Sequence, residues 1–68
     1  MTPDAERYNP APEYMRELVE KAAARHGISQ RKLAKLLGIP WGTLENWKSG
    51  RSRYSYADQY LLEMAGIG

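Results

Sequence analysis

Apolar residues along the 68-residue chain recur at spacings of three and four, and nowhere alternate as a strand requires. Met15, Leu18, Val19 and Ala22 share one face of a first helix. Pro12 suits its first position, where no donor N–H is needed, and Glu13 suits the positive end of the helix dipole. Arg25 and His26 fall in the last turn and Gly27 follows, so this helix is expected over 12–26. Ser29 is an N-cap candidate for a second helix. Its expected buried face is Leu33, Ala34, Leu36 and Leu37, with Gln30, Arg31, Lys32 and Lys35 outside. Gly38 stops it and Ile39-Pro40 forms a turn. A third helix is expected from about Trp41 to Ser49, with Leu44 and Trp47 apolar and Gly50 at its end. Ser55 and Asp58 then cap a last helix over about 56–65. Its apolar set is Ala57, Tyr60, Leu61 and Met64, and Gly66 closes it. The first eleven residues hold two of the four prolines and no apolar period. The pattern therefore predicts an irregular arm over 1–11 and one all-α domain over 12–68, a small bundle of four or five helices.

Length and composition narrow the function. A chain this short buries only about 60% of its unfolded surface, so its core must be lean. No cysteine is present, which excludes disulfides and cysteine-bound zinc and suits a reducing cytoplasm. One histidine excludes a site built on two imidazoles, and Asp4 and Glu6 lack partners at metal-ligand spacing. No nucleophile–base pair and no carboxylate cluster supports an enzyme. No cofactor, metal or small-molecule ligand is expected. No apolar run approaches a membrane span, and no secretion leader is expected.

Charge adds direction. Residues 1–24 carry net −2 and residues 55–68 net −2. Residues 25–54 carry net +6, from Arg25, Arg31, Lys32, Lys35, Lys48, Arg51 and Arg53 against Glu45. A basic block between acidic ends reads as a footprint for a polyanion or, equally on charge alone, as the solvated face of two helices.

Residues 30–49, QRKLAKLLGIPWGTLENWKS, decide between them. A small Ala34 precedes Gly38 by four residues. Ile39, Leu44 and Trp47 then follow at the spacing a helix-turn-helix needs to fill the angle between two steeply crossing helices. This segment resembles the helix-turn-helix of lambda-repressor and Cro-like phage regulators. More narrowly, TPDA, NPAPEYMREL, GISQRKLAKLLGI and the tyrosine-rich last helix resemble the anti-CRISPR-associated transcription regulators of phages. AAARH lengthens the first helix relative to that group, and Gly42 stands where the group can present a basic reader. The resemblance implies a homodimeric repressor of its own anti-CRISPR operon, bound to an inverted-repeat operator in double-stranded DNA in the host cytoplasm.

In that geometry the third helix enters the major groove. Trp41, Gly42, Glu45 and Asn46 are the candidate base contacts. Asn46 can bond adenine, or be solvated. Glu45 can accept from cytosine, or pair with Lys48. Trp41 can meet a thymine methyl or a sugar, or pack on the first helix. Candidate phosphate contacts are Ser29, Gln30, Arg31, Lys32, Thr43, Lys48, Arg51 and Arg53. Tyr54 and Tyr56 flank the basic loop and can also reach phosphate. His26 suits a helix end, and Trp47 the core. Tyr60, Leu61, Met64 and Ile67 exceed what a short last helix can bury and are the expected dimer surface. An antitoxin, a phage packaging subunit and, outside DNA binding, a helical protein-interaction domain are the competing readings.

Overall fold

Four helices form where the local signals place them. The computed structural model describes residues 7–67. The helices are α1 (Pro12–His26), α2 (Gln30–Leu37), α3 (Trp41–Ser49) and α4 (Tyr56–Ile67), and no strand occurs among the described residues. Pro12 opens α1 and Ser29 caps α2, its Oγ accepting from the Lys32 N–H at 3.1 Å. Ser55 and Asp58 form a reciprocal box at α4. The Asp58 N–H donates to Ser55 Oγ at 3.2 Å, and the Ser55 N–H donates to Asp58 Oδ2 at 3.1 Å.

The α2–α3 turn depends on glycine. Gly38 sits at φ 73°, a left-handed conformation that a Cβ would strain. Its N–H donates to the Lys35 carbonyl at 3.2 Å and the Ile39 N–H to the Ala34 carbonyl at 2.8 Å, so α2 ends in a Schellman motif. Ile39 is thereby turned inward beside Ala34, Leu44 and Trp47, all buried in one core. Met15, Val19, Ala22 and Ala23 join that core from α1, which packs against each of the other three helices, and Leu33, Tyr54 and Leu62 complete it.

Three details differ from the sequence expectation. Leu36 is 67% exposed, not part of the buried face of α2. Leu33, Ala34 and Leu37 centre that face, and Leu36 projects about 100° away from it. The apolar set of α4, Ala57, Tyr60, Leu61 and Met64, does not include its core face, and Leu61 and Met64 stand outside as a dimer surface requires. The core face is Gln59, Leu62 and Gly66, while Ala57, Leu61 and Met64 are exposed. Gly66 does not end α4, which continues to Ile67. It packs beside the Lys21 stem and Ala22, where a Cβ would stand 3.7 Å from Lys21 Cγ. A glycine used for close approach needs no left-handed turn.

Residues 8–11 lack regular structure, as expected, yet the segment from Arg7 to Ala11 is tied down. Positions 1–6 of the expected arm lie outside the described residues. Gln59, fully buried, accepts from the Asn9 N–H at 2.8 Å and donates to the Arg7 carbonyl at 2.9 Å. Tyr54 brings its hydroxyl to the carbonyls of Asn9 and Ala11, and Tyr8 donates back to the Tyr54 carbonyl. Burying an amide without partners costs about 1–3 kcal/mol, so this clasp makes a polar Gln59 acceptable in the core.

The end of α3 is braced by α1. Gly50 stands at φ 83°, and a Cβ there would lie 3.0 Å from Pro12 Cγ, an atom held in a ring. Gly50→Ala therefore combines backbone strain with a clash and should destabilise the fold by about 2 kcal/mol. Urea unfolding followed by circular dichroism should show a lower midpoint at unchanged slope. An unchanged midpoint would mean that the α1–α3 brace is not as described.

Candidate nucleic-acid interface

The exposed side of α3 is set by what holds its inner side. Leu44 and Trp47 are buried, which turns Gly42 and Glu45 fully outward and leaves Trp41, Thr43, Asn46 and Lys48 half-exposed around them. No side chain caps the start of α3, so its first N–H groups remain open on this side. The C-terminal end is fixed by Arg16, whose Nη1 donates to the Lys48 carbonyl at 2.6 Å. A cation there also suits the negative end of the α3 dipole. The accompanying Arg16–Glu13 pair, at 3.7 Å and largely exposed, adds little.

Three basic elements surround α3. Arg31, Lys32 and Lys35 on α2 are exposed and wall a groove floored by Ala34, Ile39, Pro40 and Trp41. Lys48 does not pair with Glu45. Its ammonium donates to Gln30 Oε1 and so ties the last turn of α3 to the first turn of α2. Arg51 and Arg53 stand exposed in the following loop. That loop is folded back on α3, because the Arg51 N–H donates to the Asn46 carbonyl at 2.9 Å and the Ser52 N–H to the same oxygen at 3.3 Å. The fold thus gathers Ser29, Gln30, Arg31 and Lys32 with Trp41–Lys48 and Arg51–Arg53 around one helix.

The chain matches the model of the bacteriophage CI repressor helix-turn-helix domain over residues 17–63, from within α1 to within α4. The chain belongs to this CI repressor helix-turn-helix family. It is therefore a DNA-binding transcription regulator of the phage repressor type. No curated protein and no solved structure gives a significant match. No helix among the described residues is long and apolar enough to cross a membrane.

Some residues take other parts than the sequence suggested. Tyr54 is buried and cannot serve phosphate; its hydroxyl is spent on residues 9 and 11, and its ring meets Trp47 edge-on at 6.2 Å. Burial and the nearby Tyr8 and Glu13 push its pKa up. Tyr56 is half-buried, its ring tilted against that of Tyr60. His26 lies in the last turn of α1 as expected, and in addition its Nε2 stands 2.9 Å from the Ala65 carbonyl at the end of α4. A carbonyl only accepts, so the shared proton sits on Nε2. Sequence reasoning missed Arg16 and Gln59, since both act across more than thirty positions, where no local spacing signals them.

Away from α3, residues of α1 and α4 line a second groove, with Leu18, Lys21, Tyr60, Met64 and Ile67 along it. Tyr14 and Glu63 also border it, and the Tyr14 hydroxyl donates to Glu63 Oε2. That hydrogen bond, then burial, then the carboxylate's charge, pushes the Tyr14 pKa from 10.0 up to about 12. The folded value lies above the unfolded one, so the bond's stabilisation is complete below pH 10 and is lost as pH rises through about 12. In an ultraviolet tyrosinate titration, Tyr14→Phe should remove the step near pH 12, and its stability deficit against the wild type should vanish over the same interval. A Tyr14→Phe titration identical in that step would refute the Tyr14–Glu63 bond.

Proposed function

We propose that the chain represses transcription by seating α3 in the major groove of an operator, as a homodimer on an inverted repeat. The observation that carries this is the placement of exposed cations from α2 and the 51–53 loop, with half-exposed Lys48, around α3 within a CI repressor helix-turn-helix domain. Trp41, Gly42, Glu45 and Asn46 face the base edges. Asn46 takes adenine through a paired hydrogen bond, Glu45 accepts from cytosine, and Gly42 lets the backbone come close. Ser29, Gln30, Arg31, Lys32, Thr43, Lys48, Arg51 and Arg53 hold the phosphates on either side. The resemblance to anti-CRISPR-associated regulators favours a phage-encoded repressor of its own operon, acting on DNA in the bacterial host. Occupied operator then excludes polymerase from the promoter.

A helix of nine residues covers few base pairs, too few to select one site among the competing sites of a genome. Two-fold pairing doubles the readout. The surface for it is the outer side of α4, where Leu61, Met64 and Ile67 are exposed and Tyr60 is half-exposed. Pairing there sets the two α3 helices one turn of DNA apart, with half-site centres about 10–11 base pairs apart or a multiple of that.

DNA binding should be steeply salt-dependent. If six phosphates are neutralised, log K falls against log salt with a slope of about −5. Arg31→Ala should weaken operator and random duplex alike, whereas Asn46→Ala should cost roughly 1–3 kcal/mol on the operator and little on random DNA. Affinity that stays flat from low to physiological salt would overturn the DNA-binding reading. Equal losses on both duplexes would remove Asn46 as a base reader.

Leu61→Glu tests the dimer. It should abolish two-to-one binding on the inverted repeat while the circular dichroism spectrum stays helical. Wild-type protein that binds the operator as one chain, by native mass spectrometry, would contradict the pairing.

A further inference from the structure

Trp41 heads α3 and is half-buried against the edge of the core. Two cations from different helices stand over its ring. Arg31 Cζ of α2 lies 5.3 Å from the ring centroid and Lys48 Nζ of α3 lies 5.5 Å from it. Both are within the range at which an aromatic face attracts a cation. Trp41 and Lys48 are seven residues apart, two helical turns, and so share a face of α3. Lys48 is held a second time by Gln30.

Two like charges thus share one ring. Arg31 and Lys48 repel one another, and among the described residues neither is ion-paired with a carboxylate. The negative face of the indole and the Gln30 oxygen are what offset the repulsion. Neither contact uses up the donors a phosphate needs. A guanidinium over a ring keeps its N–H groups free at its edge, and an ammonium with one proton on Gln30 has others to give. Long basic side chains lose rotamer freedom when a phosphate fixes them, and a side chain already held loses less.

We propose that Trp41 is a positioning residue for the DNA backbone: its ring is the platform that holds Arg31 and Lys48 together, ready for phosphate, whatever base its outer edge meets. This rests on the DNA-binding reading above. A tryptophan that only filled space, or only touched a base, would not act through those two cations.

The test is a double-mutant cycle on a labelled random-sequence duplex at low salt, read by fluorescence anisotropy. Trp41→Leu keeps an apolar side chain and removes the aromatic face. It should weaken binding about fivefold in the wild-type background, the scale of two exposed cation–π contacts. In an Arg31→Ala/Lys48→Ala background it should change binding less than twofold. Trp41→Phe should retain most of the affinity. Equal losses from Trp41→Leu in both backgrounds, or no loss in the first, would overturn the platform. A second measurement needs no change at Trp41. In the wild-type protein the Arg31 δ and Lys48 ε protons should show upfield ring-current shifts that persist when the duplex is added. Their absence would overturn the proposal even if Trp41→Leu failed to fold. Wild-type protein that binds no duplex would instead bring down the DNA-binding reading itself.

Discussion

The direction in which α3 points depends on one left-handed residue and the side chain that follows it. Gly38 reverses the chain at the end of α2, and Ile39 is drawn into the core by the hydrogen bond from its N–H to the Ala34 carbonyl. From that point the rest is constrained. Ala34 leaves room for the approach of the two helices, Leu44 and Trp47 fill the angle, and the opposite side of α3 must face water. A side chain with Cβ at position 38 would carry roughly 1–2 kcal/mol of strain, a large share of the stability of a chain this small.

The segments on either side of the α2–α3 pair support α3. α1 touches every other helix, and its first half grips the end of α3 through Arg16 and Pro12. Tyr54 follows the basic loop directly, and its hydroxyl is anchored on residues 9 and 11. Gln59, one turn into α4, takes the same segment from the other side. A lean core cannot hold a loop by apolar area alone, so hydrogen bonds to a folded-back segment do it. The basic loop is fixed at both ends in this way, by Asn46 before it and Tyr54 after it.

Much of this was legible in the sequence, for a physical reason. Caps, glycine stops and the spacing of Ala34, Gly38, Ile39, Leu44 and Trp47 are local signals, so α1, α2, α3 and their turns follow from neighbours in the chain. The phase of α4 was not legible. It carries Leu62 on one face and Leu61 with Met64 on another, and only contact with α1 settles which faces inward. The inward face includes Gln59, whose burial rests on Arg7 and Asn9, fifty and more positions away. Tyr54 likewise looked like a loop residue beside arginines, and its partners lie more than forty positions earlier. At the candidate interface, the exposure of the α2 and loop cations and of Gly42 and Glu45 was legible. The pairing of Lys48 with Gln30 and the place of both cations over Trp41 were not, since these join two helices across the turn.

The proposed interface requires nucleic acid to meet the α2–α3 side of the molecule. Backbone amide shifts of isotopically labelled protein, followed by nuclear magnetic resonance during addition of a random-sequence duplex, test it residue by residue. The largest changes are expected at Ser29–Lys32, Trp41–Lys48 and Arg51–Arg53, with the outer side of α4 hardly moved. Changes concentrated on Tyr60–Ile67 with α3 unperturbed would contradict the proposed interface.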